Sequence, residues 1–376
     1  MNLQDLRNLA SKRLVLIGAA IASVFLLVII LVVTLSSSDD DSSQTNRQRV
    51  TAILKRHPLI DGHNDLPWGY RTAFQNQLRV DLSQNLTDNP IGNQNESMTD
   101  IPRLRAGMVG AQFWVSFVPC NFQYHGALRA SLQQIDLIKR IVANYSSDLQ
   151  LATSTQGIRD AFRAGKIASL IAVEGGHMME NSLAVLRIYY EIGVRYMTLT
   201  WNCDTPWAEY HSLEEKNHQN FTVTGLSEWG KLVIREMNRL GMMIDLSHVH
   251  SNTMKVAIEV SDAPVIFSHS SVRELCNSSR NVPDEVIDLM DANGGIIMVN
   301  FYSGFVNCNS SRDAVMQDVI VCQKALKTSR NFQIYSKHYL IVVTGRTVRD
   351  NKKNDPPIVE WIPEDDLKNH TCFVTD

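Results

Sequence analysis

Leu59-Ile60-Asp61-Gly62-His63-Asn64-Asp65 is a short apolar run that stops abruptly in an imidazole and a carboxylate two residues apart. If the run is a β-strand, residues i and i+2 share a side, so His63 and Asp65 can bind one metal ion from a single strand end. Alone, the stretch reads more readily as a turn, with Asp61 and Asn64 bonding their own backbone and His63 at the surface. The choice depends on whether other strand ends supply matching ligands.

Six more apolar runs follow, at 111–118 (AQFWVSFV), 167–173 (IASLIAV), 194–200 (VRYMTLT), 242–246 (MMIDL), 264–267 (PVIF) and 295–300 (GIIMVN). Helical periodicity fills the gaps, for example at 182–192 (SLAVLRIYYEI) and 228–240 (EWGKLVIREMNRL). Strands that alternate with helices form a parallel sheet. Seven such strands in one series are more than most open doubly wound sheets need and one short of a (β/α)8 barrel, the preferred architecture. The polar stretch at about 75–99 reads as an exposed loop.

In a barrel all strand C-termini open on one face. The first strand ends in His63 and Asp65, the third in Glu174-Gly175-Gly176-His177, the fifth in Asp245-Leu246-Ser247-His248 and the sixth in Ser268-His269. Any one of these has a structural reading, as a cap or a core histidine. Together they bring imidazoles and carboxylates to one place, a set that suits first-row divalent ions, zinc above all. His63, Asp65, Glu174, His248 and His269 exceed the needs of one four-coordinate ion with an open position, and a carboxylate-bridged pair of ions accommodates them.

Composition excludes little. The 376 residues are 44% hydrophobic and 20% charged, as in ordinary globular proteins, and a net charge of −3 gives no reason to expect nucleic acid. Residues 14–35 (LVLIGAAIASVFLLVIILVVTL) form an uncharged run long enough to cross a bilayer. Arg7, Lys12 and Arg13 precede it and SSSDDDSS follows, so the expected topology is a single-pass type II signal-anchor with a cytoplasmic tail (1–13) and an extracellular main domain. The expected order continues with a linker (36–46), a barrel (47–327) and a tail (328–376). Seven N-x-S/T sequons, at Asn85, Asn95, Asn144, Asn220, Asn277, Asn309 and Asn369, agree with a secretory route. So do six scattered cysteines, which read as disulfide partners whose pairing the spacing leaves open.

The stretches DGHNDLPW (61–68), EGGH (174–177), GVRYMTLTWNCDTPWAE (193–209), DLSHV (245–249), FSHSS (267–271) and SRNVPD (279–284) together resemble the membrane dipeptidase (renal dipeptidase) family of zinc hydrolases. The resemblance runs from about Arg47 to about Tyr302. It implies two zinc ions: His63 and Asp65 on one, His248 and His269 on the other, and Glu174 bridging. It implies that Arg280 pairs with the carboxylate of a dipeptide substrate, a task suited to a planar bidentate donor. It also implies disulfides Cys120–Cys203 and Cys276–Cys308, leaves the pairing of Cys322 and Cys372 open because they lie beyond the matching region, and is compatible with a homodimer.

Two departures stand out. Active dipeptidases of the family have a histidine after the TLT of the fourth strand that polarises the scissile carbonyl, and Trp201 stands there. An indole offers one N–H, no charge and far more bulk. The family's eighth strand ends in a Gly-Gly-Asp-type motif whose aspartate is the general acid and base. No such motif follows Tyr302, so that role is unassigned. Residues 312–326 read as the seventh helix and 339–343 (YLIVV) as a substitute eighth strand; otherwise the expected eighth strand is divergent or missing. The final helices and any apolar tail for a lipid anchor are also absent from the expected pattern. Three readings follow: a membrane-anchored zinc dipeptidase, a catalytically impaired homologue that binds metal or ligand at the cell surface, and a related metal-dependent amidase.

Overall fold

The computed structural model describes residues 46–87, 91, 99–212, 224–300, 302–306, 308, 338–339 and 362–363. In chain order the elements are α1 (Asn46–Arg56), β1 (Leu59–Asn64), α2 (Leu66–Phe74), α3 (Ile101–Ala106), β2 (Val109–Phe117), α4 (Ala127–Asn144), β3 (Leu149–Leu151), α5 (Thr155–Arg163) and β4 (Ile167–Glu174). They continue with α6 (Leu183–Glu191), β5 (Val194–Thr198), α7 (Glu228–Leu240), β6 (Met243–Asp245), α8 (Ser251–Val260), β7 (Ile266–Phe267), α9 (Asp284–Asn293), β8 (Ile296–Ile297) and α10 (Ser303–Val306). The described residues 46–51 belong to one unit, and a second unit begins at Ala52.

One parallel sheet organises the second unit, in the order β1-β2-β4-β5-β6-β7-β8. β4 is central and buried along its whole length, as expected for a strand covered on both faces. Its two faces feed two separate apolar clusters. Ala168, Leu170 and Ala172 join Phe113, Val115, Tyr196, Met243, Ile266 and Met298 in the first. Ile167, Ile171 and Val173 join Trp114, Met197, Ile244, Phe267 and the inner faces of the helices in the second. The sheet curls around the first cluster: the Tyr196 hydroxyl, on β5, donates to the Gly62 carbonyl of β1 at 2.7 Å. The helices begin where short polar side chains accept from their first free amides, Ser154 from Gly157 N, Ser182 from Val185 N and Ser227 from Gly230 N.

All seven strands read from the sequence lie in this sheet, although β7 and β8 are only two residues each. β3 has no counterpart among the apolar runs; it is three residues long and pairs with the start of β4 on the edge that β5 takes further on. The stretch 75–99 is not simply exposed: Leu82 and Leu86 are buried, and Asp100 accepts from Leu86 N at 2.9 Å. Among the described residues no ladder joins β8 to β1. The suggested substitute strand at 339–343 lies mostly outside them, and His338–Tyr339 instead pairs antiparallel with Ile362–Pro363 in a separate sheet. The apolar run 14–35, the helix at 312–326, Cys322 and Cys372 also lie outside the described residues. Within the described residues no helix is long and apolar enough to cross a membrane. Asn85, Asn144 and Asn277 are exposed; the other four sequons fall outside.

Gly62 lies where β1 packs closely against the residues that follow β7 and β8. A Cβ there would lie 2.1 Å from Met298 Sδ and 2.7 Å from the Ser268 carbonyl oxygen. The thioether can swing away, but the backbone oxygen cannot. Gly62→Ala is expected to destabilise the protein by about 1–3 kcal/mol, read from urea unfolding midpoints.

Candidate metal centre

Glu174 is the last residue of β4, and its side chain is almost fully buried. Its two oxygens face different partners. Oε2 lies 3.6 Å from His63 Nε2, which in turn lies 3.3 Å from Asp65 Oδ1. Oε1 lies 2.9 Å from His248 Nε2 and 3.2 Å from His269 Nε2. The five expected ligands therefore meet around one carboxylate; His63 and His269 also approach each other, with ring centres 3.8 Å apart and ligand atoms within 4.8 Å of one another and of Glu174. For donors about 2.0–2.1 Å from a tetrahedral ion, the edge between donors is about 3.3 Å. The observed separations lie around that length, so the donor set fits divalent ions.

The other nitrogen of each imidazole is committed. Tyr196 Oη spends its proton on Gly62 and lies 3.3 Å from His63 Nδ1, which can donate to it. His248 Nδ1 lies 3.1 Å from Asn202 Oδ1, which only accepts. His269 Nδ1 lies 2.7 Å from Ser268 Oγ, whose proton goes to the buried Asp245 carboxylate. With protons on the three Nδ1 atoms, the His248 and His269 Nε2 lone pairs face Glu174, and the His63 Nε2 lone pair joins them once that imidazole is neutral. His248 Nε2 and His269 Nε2 are 3.0 Å apart. Lone pairs at such distances repel unless a cation lies among them, and ligating histidines characteristically have their second nitrogen held in this way.

His248 has φ +71°, a left-handed conformation uncommon for a residue with a Cβ. Its carbonyl accepts from Thr200 Oγ1 at 2.9 Å and from the His211 amide at 3.0 Å. These bonds hold the backbone turn that aims the ring at Glu174, and backbone strain of this kind concentrates at functional sites.

The ionisation balance is poor for the residues by themselves. Burial pushes the Glu174 carboxyl up to about 8. Burial opposes charge on His63, but Glu174 and Asp65 outweigh it and raise its pKa to about 9. Burial, with the nearby Arg280 and histidines, holds His248 and His269 well below the usual imidazole range. His177, from the same EGGH stretch, is a core histidine: it is buried, its Nε2 meets the Val118 carbonyl at 3.0 Å, and burial depresses it to about 4.

A cavity of about 490 Å³ opens over the ligands. Trp68, Phe117 and Trp201 form an aromatic wall, with Phe117 centred 5.2 Å from Trp68 and 4.6 Å from Trp201. Arg280 lies in the same cavity and is 5% exposed, where sequence reading without the family favours a surface charge. Among the described residues its guanidinium reaches the Ser270 hydroxyl and the His269 carbonyl, and it sits 5.4 Å from the Phe305 ring centre. Burial lowers it to about 10, still charged at neutral pH, and among the described residues no carboxylate forms an ion pair with it. The disulfides Cys120–Cys203 and Cys276–Cys308 tie the loops that carry Trp201 and Arg280. Asn202, His211, Tyr196, Ser268 and Ser279 carry no spacing signal in the sequence; Asn202 and Ser268 could have been suspected only from adjacency to Trp201 and His269.

A parallel α/β sheet with imidazoles and carboxylates converging at its strand ends defines the class, that of α/β metallohydrolases. The chain belongs to the membrane dipeptidase family (peptidase family M19), whose profile matches residues 47–326. It is 46% identical over 263 residues to dipeptidase 3 of Mus musculus and, over the same length, 46% identical to that of Homo sapiens. Each match covers 70% of this chain and 51% of the relative, so the chain spans about half the length of the curated relatives it matches. Among solved structures it is similar to a metallo peptidase from Rhodobacter sphaeroides liganded with a phosphinate mimic of the dipeptide L-Ala-D-Ala. That likeness has a TM-score of 0.59 at 19% identity and covers 72% of this chain and 82% of the other. It is also similar to the metallo peptidase called dipeptidase AC, with a TM-score of 0.60 at 21% identity over 72% and 81% of the two chains. At these identities the structural likeness shows the fold.

Ligation requires a neutral imidazole and an ionised carboxylate. With His63 titrating at about 9 and Glu174 at about 8, metal loading near neutral pH must displace protons. Calorimetry in buffers of different ionisation enthalpy is expected to show release of at least one proton per chain at about pH 7, falling towards none above about pH 9. Apparent metal affinity should rise with pH through the same window. A pH-independent affinity would contradict the proposed ligand set.

Proposed function

We propose that the chain is a metal-dependent dipeptidase that holds two divalent ions, zinc in the first instance. His63 and Asp65 bind one ion, His248 and His269 the other, and Glu174 bridges them. The observation that carries this reading is the division of donors between the two oxygens of one buried carboxylate. The curled sheet is read as a TIM-like barrel over 47–327 with its eighth position divergent or missing. Residues 14–35 are read as the anchor of a type II cell-membrane protein whose catalytic domain is extracellular. The run's length and flanking charges support that topology.

Ions held there supply Lewis acidity to a peptide carbonyl and to water. The chain's own residues do the rest of what can be assigned. Arg280 is desolvated and lacks a carboxylate partner among the described residues, so a substrate carboxylate gains a charge-assisted, bidentate contact there. The Trp68–Phe117–Trp201 wall keeps bulk water from the part of the cavity it lines. Tyr196, Asn202 and the Ser268–Asp245 pair hold the imidazoles in register.

Purified protein loaded with zinc and assayed on a dipeptide panel tests the reading; no turnover with stoichiometric metal bound would favour an impaired homologue that binds metal or ligand at the cell surface. Glu174→Gln should lower both metal content and turnover, the latter by about two orders of magnitude or more. Unchanged activity would reject a centre bridged at Glu174. Trp201→His supplies the donor that the indole lacks, and kcat should rise by about a hundredfold on small dipeptides if transition-state stabilisation limits the native chain.

A further inference from the structure

His211 lines the cavity but is no part of the donor set. It lies in the loop between β5 and α7, and both ring nitrogens are engaged. Nε2 lies 2.8 Å from Asn202 Oδ1, and Nδ1 lies 2.9 Å from Ser279 Oγ. The same Asn202 oxygen faces His248 Nδ1 at 3.1 Å. An amide oxygen only accepts, so His211 and His248 both donate to it, which leaves His211 Nδ1 to accept from Ser279. Every proton in the chain Ser279–His211–Asn202–His248 has one consistent place. The main chain adds a second tie, because the His211 amide donates to the His248 carbonyl at 3.0 Å.

Ser279 immediately precedes Arg280. One imidazole therefore joins the arm that carries the guanidinium to a ligand of the metal centre. With both nitrogens occupied, it has no free position to act on a reacting atom. We propose that His211 is a positioning residue that locks the Arg280 arm to His248, so that metal loading and the grip on a substrate carboxylate are coupled. This rests on the metal-centre reading above. By linkage, whatever binds at one end of the chain tightens binding at the other by the same factor.

The test uses the folded full chain, zinc, and a non-hydrolysable phosphinate analogue of Ala-Ala, compared with its C-terminal carboxamide. Zinc affinity is measured by chelator competition, and the acid-over-carboxamide affinity ratio by calorimetry. His211→Phe is expected to weaken zinc binding by about tenfold, the size typical of groups that orient metal ligands, and to lower the acid-over-carboxamide ratio severalfold. His211→Gln places an amide N–H near Nε2 and should recover zinc affinity while leaving the ratio low. Should the Phe variant fail to fold, the Gln variant still separates the two ends. If either variant melts earlier while both readouts stay within about twofold of wild type, His211 is merely structural and the proposal is overturned. If the wild-type chain binds no zinc, the metal-centre reading fails first, and that outcome is distinct from a metal-binding chain that ignores the loss of His211.

Discussion

A single carboxylate at the end of the central strand holds the site together. Glu174 is almost fully buried, and burial there makes a charged carboxylate costly and drives it towards its neutral form. Three imidazoles crowd it, two of them neutral with lone pairs inwards and His63 held in its charged form by the carboxylates. The arrangement is poorly balanced in side chains alone and well balanced around cations. Much of the surrounding polar structure reflects that constraint: each histidine must be held by its other nitrogen, and each holder must in turn be satisfied.

The holders come from different layers of the fold. Tyr196 reaches across the inside of the curled sheet, and its single proton goes to Gly62, which fixes its oxygen as an acceptor for His63. Asp245 lies at the end of β6, fully buried. It is satisfied by Ser268 Oγ and by the amides of Ser247 and Ser268, and through Ser268 it orients His269. Asn202 does the same for His248 from a loop stapled by Cys120–Cys203. The curl of the sheet, the short strands β6 and β7 and the left-handed turn at His248 are means of bringing these second partners within reach.

The cavity beside Glu174 combines an aromatic wall with one buried guanidinium. Trp201 belongs to that wall, packed on Phe117, with its ring 6.2 Å from that of His248. The bulky indole shapes the cavity and supplies it with one N–H and no charge.

Much of this was legible in the sequence because it is local and periodic. Apolar runs alternating with helical patterns determined a parallel sheet, and residues placed just past the ends of those runs marked out His63, Asp65, Glu174, His248 and His269. The rule that parallel strands open on one face was enough to group them. What the sequence could not decide depends on side chains far apart in the chain. No spacing links Tyr196 to His63 or His211 to Ser279, and no pattern shows that Arg280 is buried, that Leu82 and Leu86 turn inwards, or that β3 adds to the edge of β4. Those facts arise when the sheet curls and its loops pack, because hydrogen-bond satisfaction in a desolvated pocket is a property of the assembled site and of no single segment.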